Sequence, residues 1–416
     1  MAAVSLSTGP GGIGAHVAAD PIRALVVSHD SSLYGAQQSL LGLLSRIDPH
    51  VIRSYVVTPY MGDLGRELEK LGIPVHVLPI PHWVASTTNA STGRLGLCRE
   101  VVRGLRSRVN ALVDLIRKHS IDIVYTNTVA CIDGALAARA AGLPHVWHLR
   151  EQIAGNRDLK SALPAWLTDR IVAALSSRII TNSDSLRTHY VRVAPPEKIS
   201  VIHNGIDLDV FSPGPPRRPG LREELSIPPA TRLVVMIASV TPRKGHILFA
   251  EAAVLMKRAI RNVAFLAVGG GHHEYINAIK ARVEQLGIND CFHFLDWRSD
   301  IPDILRVCDV LVVASDQEPF GRTVVEAMAT GLPVVATRCG GPEEIIVDRE
   351  TGLLAPLDDP RAMADAVEFV VRDPDLARKM GQAGRRRAEA SFSLKAYANA
   401  AQDVLRQVAS QAMVKH

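Results

Sequence analysis

Val310-Leu-Val-Val-Ala-Ser-Asp-Gln-Glu-Pro-Phe-Gly-Arg-Thr-Val-Val-Glu-Ala-Met-Ala329 reads as a strand that passes through a tight turn into a helix. Val310 to Val313 is a short β-branched apolar run, the mark of a buried strand. Pro319, Phe320 and Gly321 turn the chain. From Thr323 onward the pattern is helical, with Glu326 about one turn in. One carboxylate, Glu318, therefore stands on the loop, and the other stands on the helix that leaves it. The unbonded amides of that helix start, with Thr323, make an anion site suited to a diphosphate. A carboxylate beside them accepts hydrogen bonds from two vicinal hydroxyls, as ribose presents. A capped helix with solvated acids fits the segment equally well when it is taken alone.

The same rhythm extends in both directions. Upstream of the quoted segment, Arg232-Leu-Val-Val-Met-Ile-Ala238, Val263-Ala-Phe-Leu-Ala-Val268 and Cys291-Phe-His-Phe-Leu295 are strand candidates; Pro333-Val-Val-Ala336 follows it. Helical patterns near 246–258 and 275–286 separate them. The first half repeats the alternation with Arg23-Ala-Leu-Val-Val-Ser28, Ser54-Tyr-Val-Val-Thr58, Val75-His-Val-Leu78, Ile121-Asp-Ile-Val-Tyr125, His145-Val-Trp-His148, Arg178-Ile-Ile-Thr181 and Ser200-Val-Ile-His203. Helices are expected between them, for example at 37–45 and 64–71. Short buried strands alternating with helices give an α/β fold with parallel sheets wrapped on both faces. Phe211-Ser-Pro-Gly-Pro-Pro-Arg-Arg-Pro-Gly220 cannot hold regular structure and separates the halves. Two doubly wound, Rossmann-like domains result, and their strand ends share one cleft.

Size and charge agree. A chain of 416 residues exceeds one ordinary core. Its net charge of +5 is uneven: residues 1–200 carry 21 Lys and Arg against 15 Asp and Glu, which favours an anionic partner in the first half. Cys98, Cys131, Cys291, Cys308 and Cys339 are scattered without metal spacing, so reduced thiols and a cytoplasmic setting are expected. The start, at 1–20, lacks the features of a secretion signal and reads as a flexible lead-in. No apolar run is long enough to span a membrane. Gly9-Pro-Gly-Gly-Ile-Gly14 fits a dinucleotide-binding pattern but precedes the first strand rather than following it, and is set aside.

The quoted segment resembles the E-x(7)-E signature of retaining glycosyltransferases with the GT-B fold, particularly glycosyltransferase family 4. Other stretches match in the same order. Val201-Ile-His-Asn-Gly-Ile-Asp-Leu-Asp-Val-Phe211 resembles the family's inter-domain segment, and Val240-Thr-Pro-Arg-Lys-Gly245 resembles its basic phosphate loop. Phe294-Leu-Asp-Trp-Arg298 precedes the signature; Gly331-Leu-Pro-Val-Val-Ala336, Gly340-Gly341 and Thr351-Gly-Leu-Leu354 follow it. The likeness is dense over 200–360 and looser over 20–200.

The resemblance implies a division of labour: an acceptor-binding domain at 21–205, a nucleotide-sugar-binding domain at 206–390, and a final helix at 391–416 that crosses back to the first domain. It implies that Glu318 meets the transferred sugar near the reacting carbon and Glu326 holds the ribose. Arg243 and Lys244 neutralise the departing diphosphate, where charge grows as the glycosidic bond breaks. Ser239, Gly269, Arg298, Pro319, Phe320, Gly321, Thr323 and Val324 are further donor-side positions. Many members carry Gly-Arg where this chain has Ala238-Ser239, and Arg243 is the residue able to compensate. In the first domain Gly35 lets backbone approach the donor, His148 matches an active-site histidine, and Tyr34, Arg150 and Glu151 lie toward the acceptor.

The expected reaction is retaining transfer of a hexose-type sugar to a glycan, lipid-linked or small-molecule acceptor, without a metal. A GT-B epimerase and a silent nucleotide-sugar-binding protein are the rivals. The basic stretch 94–118, with Arg99, Arg103 and Arg106 placed on one helical face, is either a solvated surface or a peripheral contact with anionic lipid. Interleaved aromatics are lacking, so nucleic acid is not expected.

Overall fold

A computed structural model describes residues 20–87, 93–217 and 220–414. The expected lead-in, Asp20 apart, and its Gly9-to-Gly14 pattern lie outside the described residues.

The first sheet has seven parallel strands, in spatial order Val75–Val77, Ile52–Thr58, Ile22–Ser28, Ile123–Asn127, His145–Leu149, Arg178–Thr181 and Ile199–Val201. The second has six, in order Phe292–Leu295, Val263–Val268, Arg232–Ile237, Val310–Val313, Val334–Thr337 and Leu353–Ala355, again all parallel. In both, the first strand lies inside the sheet and the order reverses beside it. That reversal opens a crevice at the carboxyl ends of the strands.

Alternation along the strands divides each domain into two apolar layers. Leu233 and Val235 pack on one face of the second sheet, and Val234 and Met236 on the other. The helix Arg322–Thr330 covers the first of these faces with Val324, Val325 and Met328. The helices His246–Ala259 and Pro360–Arg372 cover the second. Burial on both faces explains why the strands read as unbroken apolar runs.

Two features escaped the sequence pattern. Val84–Ser86 and Leu159–Ser161 form a small antiparallel ribbon, each only three residues long. The basic stretch is not one helix but two, Arg94–Val102 and Leu105–His119, broken where Gly104 takes φ 70°. Arg99, Arg103 and Arg106 therefore do not share a helical face. Arg108 turns inward to Asp133 at 2.6 Å.

The chain crosses between domains twice, side by side. The Ile206 amide donates to the Phe392 carbonyl (2.8 Å), and the Leu394 amide donates to the Ile206 carbonyl (3.2 Å). After the second crossing, Leu394–Met413 lays Leu394, Tyr397, Ala401, Leu405 and Val408 into the core of the first domain. A Cβ on Gly205 would stand 2.7 Å from the Leu394 Cα and 2.8 Å from the Ser393 carbonyl oxygen. Backbone cannot yield there as a side-chain tip does. Gly205→Ala is expected to cost about 1–3 kcal/mol, read from urea or thermal unfolding; unaltered stability would show that the crossing has slack.

Candidate active site

The reversal point of the second sheet lies between Arg232–Ile237 and Val310–Val313, and the loops leaving these strands meet. Pro242–Lys244 forms a single 3-10 turn that opens into the helix His246–Ala259. Gly245 between them has φ 76°, and a Cβ there would fall 1.9 Å from the Ala314 carbonyl oxygen. Only glycine lets the two loops approach so closely. Arg243 reinforces the contact: its carbonyl accepts from the Asp316 amide (2.9 Å), and its Nη1 donates to the Gln317 carbonyl (2.5 Å). Lys244 Nζ donates directly to Glu318 Oε2. The basic turn thus faces the loop carboxylate.

Glu318 is held by its own main chain. Its amide donates to the Cys339 carbonyl (2.9 Å), and its carbonyl accepts from the Gly341 amide (2.7 Å). Burial pushes its carboxyl up, but the Lys244 ammonium and Arg243 guanidinium outweigh this and hold it below the usual carboxylate range. It is therefore ionised at neutral pH. Glu326, on the helix Arg322–Thr330, is buried and accepts from Arg322 Nε at 2.8 Å. There burial wins, and its carboxyl is raised despite the Arg322 charge.

The remaining donor-side positions divide. Thr323 lies half-buried in the first turn of the helix, after Gly321. Val324 is in the core, so only its main chain can reach a ligand. Phe320 is also buried, clustered with His203 and Phe392, and Pro319 lines the cleft beside Glu318. Ser239 is exposed, and its loop runs along Gly269, where the Ala238 and Val240 amides donate to the Val268 and Gly270 carbonyls (3.0 and 2.9 Å). Arg298 is engaged elsewhere: it binds Asp300 at 2.7 Å and Glu224 at 3.0 Å.

In the first domain, His148 lies one residue before the end of the strand His145–Leu149 and is fully buried. Its Nδ1 meets the Tyr125 hydroxyl at 2.5 Å, and its Nε2 has no partner. Burial, then the Arg150 charge, hold it well below the usual histidine range, so the ring is neutral. Arg150, expected at the acceptor, is spent inside the protein. Its Nε, Nη1 and Nη2 donate to Asn127 (2.7 Å), Asn204 (2.6 Å) and the Tyr397 hydroxyl (2.9 Å). It ties a strand end to the inter-domain segment and the returning helix. Glu151 feels both domains. Burial raises its carboxyl to about 6, with Arg150 and Arg243 pulling down and Glu318 pushing up. Gly35 begins the helix Gly35–Leu44 with open space at its Cβ position, and Tyr34 before it is exposed.

Among the described residues, Asp158, Glu344 and Arg322 make contacts across the cleft that the sequence did not flag. Asp158 Oδ2 accepts from the Thr241 hydroxyl (2.7 Å) and from Arg243 Nε (3.2 Å). Glu344 accepts from the amides of Asp184 (2.8 Å) and Ser185 (2.7 Å) and faces His203 Nε2 at 3.2 Å. Arg322 reaches the Ser39 hydroxyl at 3.4 Å. Each is a single residue with a partner distant in sequence, so no local spacing marks it. Gln152, Ser185 and Leu186 from one side and Gln317, Glu318, Pro319 and Cys339 from the other line a small pocket between the domains. Among the described residues, no group of three or more His, Cys, Asp or Glu is placed to hold a metal ion.

Comparison with known proteins adds to this geometry. The family described as Glycosyl transferases group 1 matches residues 218–387, and Glycosyltransferase Family 4 matches residues 57–210. The UDP-Gal:alpha-D-GlcNAc-diphosphoundecaprenol alpha-1,3-galactosyltransferase of Escherichia coli is 30% identical over 291 residues, covering 67% of this chain and 73% of that protein. The alpha-maltose-1-phosphate synthase of Mycobacterium tuberculosis is 30% identical over 314 residues, covering 69% and 79%. In fold, the chain is similar to Anabaena HepE, solved in complex with UDP and glucose, with a TM-score of 0.76 at 24% identity over 92% of this chain and 99% of that one. With both domains matched and the basic turn set against the loop carboxylate, the chain belongs to glycosyltransferase family 4, and is a glycosyltransferase of GT-B fold.

Proposed function

We propose that the chain moves a hexose from a nucleotide-diphosphate sugar to an acceptor with retention of anomeric configuration. The observation that carries this reading is the meeting of three elements at one point: the Arg243-Lys244 turn, the Glu318 carboxylate and the start of the Arg322–Thr330 helix. A diphosphate seated there takes hydrogen bonds from the first amides of the helix and charge from both basic side chains. These interactions strengthen as the glycosidic bond breaks and negative charge gathers on the leaving oxygen, so they stabilise the transition state above the ground state. Glu318, ionised, faces the sugar. Glu326, held by Arg322, is positioned for the ribose hydroxyls. Closure of the cleft keeps water from the activated sugar. The leaving phosphate helps take the acceptor proton on the same face.

On the acceptor side, neutral His148 offers Nε2, and Glu151 offers a carboxyl that ionises near pH 6. UDP-sugars are the first donors to try, because the Escherichia coli relative is named for UDP-Gal. Its name also specifies a diphosphoundecaprenol-linked acceptor. A lipid-linked acceptor suits the helix Arg94–Val102, which exposes Leu95 and Val102 along with Arg94 and Arg99. Among the described residues no helix is long and apolar enough to cross a membrane.

With a panel of nucleotide sugars and acceptors, transfer is expected to give product of the donor's anomeric configuration by NMR. Lys244→Ala and Glu318→Gln are each expected to lower kcat/KM by roughly 10²–10³-fold in protein that stays folded by circular dichroism, with a lowered melting temperature from the partner left unpaired. Inverted product, or full activity in Lys244→Ala, would defeat the reading. The raised Glu151 carboxyl sets a pH dependence: it is protonated below about 6 and charged above. The acceptor KM is expected to fall as pH rises from 5 to 7, roughly the span over which such a group ionises. In Glu151→Gln it is expected to stay level; an unchanged profile there would remove Glu151 from acceptor binding.

A further inference from the structure

Arg243 is the only donor-side cation whose carboxylate partner, among the described contacts, comes from the other domain. Lys244 is matched by Glu318, and Arg322 by Glu326, both within the second domain. Arg243 is matched by Asp158, carried on the turn that leads into Leu159–Ser161 of the first domain. That turn is fixed by main-chain bonds: the Asp158 amide donates to Asn156 Oδ1 (3.0 Å), and the Asp158 carbonyl accepts from the Thr87 amide (2.8 Å). The carboxylate is thus presented to the cleft independently of its own partners. There one oxygen, Oδ2, takes the Thr241 hydroxyl and Arg243 Nε together. Both are groups of the phosphate loop. An anion that receives a hydroxyl and a guanidinium from that loop occupies the kind of seat a phosphate oxygen would take.

We propose that Asp158 is a latch that stands in for the donor diphosphate on Arg243 and Thr241 while the cleft is empty, and that donor binding displaces it. This rests on the reading of Arg243 as a diphosphate ligand. Side-chain exposure at the pair is low, 13% for Asp158 and 15% for Arg243, so the contact is shielded from solvent screening. A diphosphate entering beside Asp158 meets a cation already neutralised. The carboxylate must withdraw, and the ion pair that drew the domains together is exchanged for one between the loop and the donor. Closure in the empty protein and closure on the donor are then held by different partners of one guanidinium.

The test is a double-mutant cycle read by UDP binding in calorimetry at low salt. Asp158→Asn keeps the shape of the side chain and both main-chain bonds. It is expected to tighten UDP by about five- to tenfold, the scale of a typical coupling between two ligands of one site. In the Arg243→Gln background the same change is expected to alter affinity less than about twofold, because the latch acts through the guanidinium. A purely structural role for Asp158 predicts equal effects in both backgrounds. Weaker or unaltered UDP binding in Asp158→Asn overturns the latch. If Arg243→Gln alone leaves UDP affinity intact, the donor-site reading itself fails, and the latch with it. Asp158→Glu, which restores the charge, is expected to return UDP affinity toward the parent's; failure to do so also overturns the latch.

Discussion

The pairing of Ile206 with Phe392 and Leu394 is the constraint on which the cleft depends. Both passages of the chain between domains lie at this one place, and each takes hydrogen bonds from the other. Because the returning helix completes the first domain's core, the second domain is tethered to it from both of its own ends. Two sheets joined along a single seam have one easy relative motion, rotation about that seam. Such a rotation would bring the loop of Glu318 and the strand of His148 together or part them. The tight fit of Gly205 against the returning chain keeps the seam from sliding. Arg150, with ligands on a strand end, the inter-domain segment and Tyr397, anchors it from within.

Around this seam the basic side chains nearest Glu318 and Glu326 are each set beside a carboxylate. A buried charge without a partner costs several kcal/mol, whereas a matched pair is near break-even. Lys244, Arg243 and Arg322 each have a carboxylate partner, at Glu318, Asp158 and Glu326 respectively. The same balance shapes ligand entry. On the proposed reading, a diphosphate does not arrive at bare positive charge; it replaces one anion with another. Specificity under that exchange comes from geometry: the helix-start amides and the hydroxyl of Thr241 favour an anion that bridges several donors, which a single carboxylate cannot do.

The α/β pattern and both domains were legible because buried parallel strands leave unbroken β-branched runs, and helices between them leave a different period. Val263–Val268, Val310–Val313 and Arg178–Thr181 have the bounds expected from the sequence, each built on a β-branched apolar run. The ribbon of Val84–Ser86 with Leu159–Ser161 left no such trace, since three residues are too few for a period. The break at Gly104 was hidden for another reason: the helical pattern of charges continues across it, and the left-handed turn depends on the single glycine. In the site, residues tied to a local unit were visible: Glu318 after its strand, Glu326 one turn into its helix, Lys244 before the next helix. Residues defined by a partner across the cleft were not. Asp158 and Glu344 look like ordinary surface acids until the domains meet. The same blindness worked in reverse for Arg150 and Arg298, whose guanidinium groups are filled by partners that spacing does not disclose.

Ser239 gives this arrangement its particular character. By the resemblance, it stands where an arginine is expected at the strand end, and it is exposed and carries no charge. The second cation lies instead at Arg243, on the turn just before the helix, and points back along the carboxylate loop to Gln317. An arginine on the strand end belongs to one sheet and is indifferent to the position of the other domain. Arg243 is not, because its free edge meets Asp158 from the opposite lobe. If Arg243 binds the donor, moving the charge from strand end to turn joins two properties that are otherwise separate: how strongly the site attracts an anion, and how far the cleft is closed. On the proposed reading, the compensation for a missing strand-end charge is also what makes the donor site sensitive to domain position.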